Sequence, residues 1–130
     1  MATKGKLELK GLSAYLEDLA AAGKDVDAAA ARALEAGAEP ILDEMKTLVP
    51  KDTRNLERHL KIEGPRQDGN FVYVDVGIID ADENTAIYGN VQEYGSSSNQ
   101  AQPYIRPALK SRKAAAMKAM KESLESEGFV

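Results

Sequence analysis

Any chemistry in this chain would have to begin at a handful of side chains. The single histidine, His59, sits beside Arg58 in the alternating stretch LERHLKIE. A histidine base needs a nucleophile and an orienting carboxylate close in space, and the sequence supplies no motif for either. His59 therefore reads as an exposed strand or loop residue. The acidic run DADE, Asp80 to Glu83, lacks the ligand order, central glycine and terminal glutamate of a calcium loop, and reads as a solvated turn. Lys51 and Thr53 follow no glycine-rich lead-in, so TLVPKDTRNL is not a phosphate loop. Glu93 could pair with Asp75 or Asp80, as any two acids in an acidic segment could. Cysteine is absent, which removes disulfides, thiolate metal sites and thiol nucleophiles together. No catalytic constellation, metal set or cofactor motif emerges. The expectation is a non-enzymatic protein without a cofactor.

The charges carry more information. A formal net charge of -4 argues against generic nucleic-acid affinity, but the average hides an asymmetry. From Gln67 to Ile105 the charged residues are Asp68, Asp75, Asp80, Asp82, Glu83 and Glu93, without a lysine or arginine. From Arg106 to Lys121 the sign reverses: Arg106, Lys110, Arg112, Lys113, Lys118 and Lys121, without an acid. Such blocks report on association rather than on fold. A basic helix could neutralise phosphates, so transient DNA contact is the alternative reading. Against it, no aromatic residues are interleaved for base stacking, and Met117, Met120 and Leu124 mark a buried face. A protein-docking face is favoured, with the acidic segment of a neighbouring copy as its complement.

The elements that must position these residues follow from periodicity. A chain of 130 residues is most simply one domain. Its start, MATKGKLELKGL, holds no apolar run for a signal peptide, and no run could span a bilayer. The expectation is a soluble protein made in the cytoplasm, with no membrane partner. Residues 11–49 read as helical. Gly11 to Gly23 forms a short helix on Leu12, Tyr15, Leu16 and Leu19. Asp25 then caps a longer one whose stripe is Val26, Ala29 or Ala30, Ala33, Gly37, Ile41, Met45 and Leu48. Pro40 falls inside that helix and should bend it; Pro50 ends it. Residues 56–79 read as an antiparallel hairpin. LERHLKIE is one strand, GPRQDGN the turn, and FVYVDVGII the clearest strand, with Val72, Val74, Val76 and Ile78 on one face.

Residues 80–106 read as a loop-rich insert. Within it, IYGNVQEYG fits either a short helix or a strand; the reading adopted is a helical turn leading into an extended segment. SSSNQAQ is an exposed loop, and Pro103 to Ile105 is extended. Residues 107–125 form a last helix with Pro107 at its first position, and its stripe is Leu109, the Lys113 stem, Ala116, Met117, Met120 and Leu124. The fold class is α+β: a small antiparallel sheet with the long helix packed on its valine face, and a C-terminal helix alongside or projecting.

Two blocks resemble a known family. Pro50, Thr53 and Leu56 form the first. Tyr88, Glu93, Tyr94 and Gly95, followed by Gln102, Pro103, Tyr104, Ile105, Arg106, Pro107, Ala108 and Leu109, form the second. Their order is similar to that in the head–tail joining or tail-completion proteins, the gene-product-ten-like family of long-tailed phages and prophages. Arg54 stands where that family usually has glycine, so the turn there need not take a positive φ. Ser96 stands where threonine is common. The resemblance implies a structural virion protein of the neck or tail. It would form a ring, sixfold like the tail axis, and work beside neighbours such as a tail terminator and a head-closure protein. The candidate interface residues are Asp80, Asp82, Tyr88, Glu93, Tyr94, Gly95, Gln102, Pro103, Tyr104, Arg106, Lys113 and Lys118.

Overall fold

The computed structural model describes residues 4–8, 26–52, 54–68 and 71–128. The elements are β1 (Lys4–Glu8), α1 (Val26–Leu48), α2 (Asn55–Arg58), β2 (Leu60–Asp68), β3 (Phe71–Ile78), α3 (Glu83–Tyr94), α4 (Ile105–Ser111) and α5 (Lys113–Ser126). The class is α+β, with a three-stranded antiparallel sheet in the order β1-β3-β2. The short helix expected over Gly11–Gly23 and the cap at Asp25 lie outside the described residues.

The long helix forms where its periodicity places it, with Pro40 carried inside it. It buries more than one stripe. Ala29, Ala33, Ile41 and Met45 are joined by Leu34, Ala38 and Leu42, because α1 packs on β2 and β3 on one side and on α5 on the other. Leu48, expected on the stripe, is 38% exposed. The α1–α5 contact is close because its residues are small. A Cβ on Gly37 would come within 2.6 Å of Met120 Cγ and 3.1 Å of the Ala116 carbonyl oxygen.

After Pro50 the structure departs from the expected strand. Residues 55–58 make one helical turn, α2, which buries Leu56, and β2 starts only at Leu60. Leu56 and Leu60 are four apart, a spacing that suits a helical turn as well as alternation. Arg54 precedes this turn with φ 59, in the left-handed region, so the conformation that glycine would favour is kept without it.

The hairpin joins its strands within GPRQDGN as expected, since pairing reaches Asp68↔Phe71, but strand β2 extends through Gly64 to Asp68, with a register shift between Glu63 and Arg66 and a cis Gly64–Pro65 bond. Pairing resumes from Arg66↔Tyr73 to Asp68↔Phe71. A bulge takes up the proline, which has no N–H to give the ladder.

The clearest strand is the centre of the sheet. Val74 and Val76 are fully buried, with Ile78 beside them. Strand β1, unanticipated from the sequence, pairs along β3 from Lys4↔Gly77 to Glu8↔Tyr73. It also brings Lys4 to 3.2 Å from the buried Asp75 carboxylate.

The insert at 80–106 holds a full helix rather than a helical turn: α3 occupies residues 83–94, and residues 95–104 are loop. The C-terminal helix is two helices. α4 begins at Ile105, so Pro107 is its third residue, and Arg112 separates it from α5. Proline is tolerated there because the first-turn N–H groups have no intrahelical acceptor. Ala116, Met120 and Leu124 face the core as expected, but Met117 is 58% exposed and Lys113 is exposed.

Candidate functional site

Glu93 lies on the last turn of α3 and is fully buried. Its carboxylate accepts three successive backbone N–H groups at the start of α4. Tyr104 and Ile105 donate to Oε1 at 2.8 and 2.7 Å, and Arg106 donates to Oε2 at 3.0 Å. Tyr104, at the N-cap position of α4, makes no side-chain cap bond of its own, so a carboxylate from another helix does that work. The Arg106 side chain completes the joint. Its Nε donates to Glu93 Oε2 at 2.8 Å and its guanidinium donates to the Glu93 carbonyl at 2.5 Å. The guanidinium also lies 4.7 Å from the centre of the Tyr94 ring, a cation–π contact. Burial pushes the Glu93 carboxyl up, but the three N–H groups and Arg106 outweigh it and hold it below the usual carboxylate range.

Tyr104 is fully buried, and its hydroxyl donates to the Gly89 carbonyl at 3.1 Å. Burial first, then the neighbouring Glu93 charge, raises the phenol well above its ordinary range. Gly89 permits this approach: a Cβ there would meet the Tyr104 hydroxyl at 3.0 Å and Leu56 Cδ2 at 3.2 Å. The other end of α3 is also tied down. Asp82 caps it, accepting from the Thr85 N–H at 3.2 Å and the Thr85 hydroxyl at 2.6 Å. The Thr85 hydrogen bonds hold the Asp82 carboxyl below its ordinary range. Asn55 of α2 donates to the same hydroxyl at 2.6 Å. His59 is half-buried, with Nδ1 at 2.8 Å from the Asn55 carbonyl. It is thus a strut at the α2 turn rather than the exposed residue expected.

The remaining sequence-derived site residues fall into three places. Gln102 and Pro103 belong to the joint's approach, where the Gln102 N–H donates to the Gln92 carbonyl at 2.7 Å. Gly95 closes α3 with φ 80, and a Cβ there would meet Ala101 N at 3.1 Å. Tyr88 and Tyr94 are exposed on α3, while Lys113 and Lys118 are exposed on α5. Asp80 is exposed in the turn before α3, with φ 56. The acidic surface is smaller than the sequence implied. Asp75 is answered by Lys4 and Glu93 by Arg106, leaving Asp80, Asp82 and Glu83 as the exposed acids of the described stretch from Val72 to Ile105. Among the described residues, no cluster of three or more His, Cys, Asp or Glu could hold a metal ion. No helix among them is long and apolar enough to cross a membrane.

Sequence reasoning placed Glu93 and Arg106 in one block but did not pair them. The available signal was the helix start at Ile105, which has no Ser, Thr, Asp or Asn immediately before it to act as cap. It also missed Gly89, Ile87 and Val91, because only a helical turn was read there and not the full length of α3.

What this joint holds is the chain's own backbone, so fold and site together define a structural module. The chain matches the family model described as "Bacteriophage HK97-gp10, putative tail-component" over residues 10–95, well over half its length, and it belongs to that family. The Glu93, Tyr94 and Gly95 positions fall inside the match, whereas the Gln102–Leu109 block lies beyond it. No curated protein and no solved structure matches the chain.

Proposed function

We propose that this tail component is a ring-forming subunit of the phage neck or tail, a hexamer that completes the tail and helps join it to the DNA-filled head. Membership of a tail-component family supports a non-catalytic structural role in the virion. The observation that carries the finer reading is the segregation of exposed charge. Asp80, Asp82 and Glu83 gather at the start of α3, while Lys110, Arg112, Lys113, Lys118 and Lys121 gather on α4 and α5, where the exposed acids are Glu122 and Glu125 toward the C-terminal end. One chain thus offers two unlike surfaces, which is what a heterologous, ring-closing contact requires. The proposed partners are other copies of this chain, then neck proteins such as the tail terminator and the head-closure protein. The Glu93–Arg106 joint holds the two surfaces in one geometry.

Phage lacking this chain should yield tails that do not join heads, and electron microscopy of complemented particles should show a sixfold ring at the tail end. Normal joined particles without the chain would refute the reading. The exposed lysines of α5 keep transient contact with DNA as a second reading. Duplex binding that weakens steeply across a salt series, in a chain that stays monomeric, would favour it.

A further inference from the structure

Helix α3 is built inside out. Its inward row, Thr85, Gly89 and Glu93, is small or polar. Its outward row, Ile87, Val91 and Tyr94 at spacings of four and three with Tyr88 alongside, is apolar. Ile87 is 42% exposed, Tyr88 39% and Tyr94 53%. A surface helix ordinarily points its apolar row inward. The inward row needs no help from the outward one, since Thr85, Gly89 and Glu93 have their partners in Asp82, the Tyr104 hydroxyl and the start of α4. Val91, between Ile87 and Tyr94, is half-buried and Arg106 covers one face of Tyr94, so the exposed apolar surface centres on Ile87 and Tyr88 with the edge of Tyr94, and such a patch marks a docking surface. Its N-terminal end is framed by Asp80, Asp82 and Glu83, all exposed.

The same chain carries the complementary surface. Met117, 58% exposed, lies one helical turn from Lys113 and from Lys121, and next to Lys118. All three lysines are exposed, and the ion pairs of Lys118 and Lys121 along their own helix are long, at 4.0 and 3.9 Å. We propose that the outward row of α3 seats the Met117 ridge of α5 from a second copy of this chain. Methionine adapts to an aromatic surface and gains from sulfur–ring contact. A lysine stem can lie along Tyr88 while its ammonium group reaches Glu83 or Asp80 near the start of α3. DNA does not suit a seat framed by acids. An unlike pair of surfaces on one chain repeats from copy to copy, so this contact specifies the subunit interface of the ring proposed above and rests on that reading.

The chain has no cysteine, which makes the test direct. Full-length Ile87→Cys and Met117→Cys chains are purified, mixed and oxidised, with oligomeric state followed by sedimentation of the parent. The expected result is a disulfide-linked mixed dimer several-fold above the level in either variant alone. The double variant should give a ladder that ends at the ring size. Ile87→Asp in the otherwise unchanged chain should abolish the oligomer. An oligomer that forms without the mixed cross-link overturns this contact and leaves the ring reading standing. A cross-link as strong in Ile87→Cys alone shows a symmetric α3 pair and overturns it too. A row that links in assembled tails only to a different tail protein assigns the seat to that partner and refutes the self-contact. A parent chain that stays monomeric at every concentration, without cross-links, removes both this contact and the isolated ring.

Discussion

Removing the Glu93 carboxylate should cost more than any other single truncation in residues 80–111. In Glu93→Ala the N–H groups of Tyr104 and Ile105 lose their acceptor on buried residues. Each orphaned buried donor costs about 1–3 kcal/mol, so the pair costs about 4 kcal/mol. The Arg106 N–H and guanidinium are less demanding, because that side chain is 55% exposed and can turn to water. Domain stabilities are about 5–15 kcal/mol, so the variant should be folded only marginally. With a urea slope of about 2 kcal/mol per molar, the midpoint falls by about 2 M. Glu93→Gln keeps an acceptor for Tyr104 and Ile105 but turns an amide toward the donors of Arg106, and should lose about half as much.

The pH dependence carries the sign. The Glu93 pKa is lowered on folding, so its stabilisation is complete above the unfolded value of about 4.3 and is lost as pH falls through the lower folded value. The gap between parent and Glu93→Gln should therefore be flat near neutrality and narrow in acid. Urea titrations followed by circular dichroism measure all of this. A Glu93→Ala midpoint within about 0.5 M of the parent, a shift of about 1 kcal/mol at that slope, would refute the capping argument.

Other outcomes follow from the same packing. Val74→Asp buries a carboxylate at a fully enclosed site on the central strand; it should cost several kcal/mol, of order 4, and its thermal melt would show it. Arg54→Gly relieves a left-handed residue and should raise stability by about 0.5–1 kcal/mol in a denaturant titration. Gly37→Leu cannot fit between α1 and α5, where even a Cβ meets Met120 Cγ at 2.6 Å; it should destabilise by about 1–3 kcal/mol. For assembly, Lys113→Glu with Lys118→Glu should lower the fraction of tails that join heads, and Glu83→Lys should restore part of it. Glu83 is the better compensating site, because Asp82 caps α3 and Asp80 holds a positive φ. Folded variants that assemble normally would remove the electrostatic part of the proposal.

What could be read from residue order follows the strength of each pattern. The strand FVYVDVGI alternates cleanly, and α1 carries a long apolar row, so both were legible. Helix α3 was not. Its inward positions are Thr85, Gly89 and Glu93 and its outward ones Ile87, Val91 and Tyr94, so its period points away from the core that it touches. The turn in GPRQDGN was legible but its extent was not: Gly64 and Pro65 break a ladder as turn residues do, and the register shift that keeps them in β2 is a property of the paired strands. Strand β1 has alternation in KGKLE but is too short to be distinctive by itself, and its partner lies some seventy residues away. Tertiary neighbours, absent from any local window, decided each of these cases.

The joint between α3 and α4 explains why a Glu, Tyr, Gly block and a Pro, Tyr, Ile, Arg, Pro block should occur together. A helix ends with bare carbonyls and a partial negative charge, and begins with bare N–H groups and a partial positive one. Here the end of α3 meets the beginning of α4. The Glu93 carboxylate answers the N–H groups of α4, and the Arg106 guanidinium answers the Glu93 carbonyl at the end of α3. One ion pair therefore satisfies two helix ends and fixes the angle between them. α3 carries the exposed apolar residues and acids; α4 leads directly into α5, which carries Met117 and the lysines beside it. In a ring closed by unlike surfaces, the relative orientation of those surfaces within one chain sets how many copies close it. In the ring proposed above, the Glu93–Arg106 pair would act on assembly without touching a neighbouring subunit, by holding the two docking faces at the angle that closure needs.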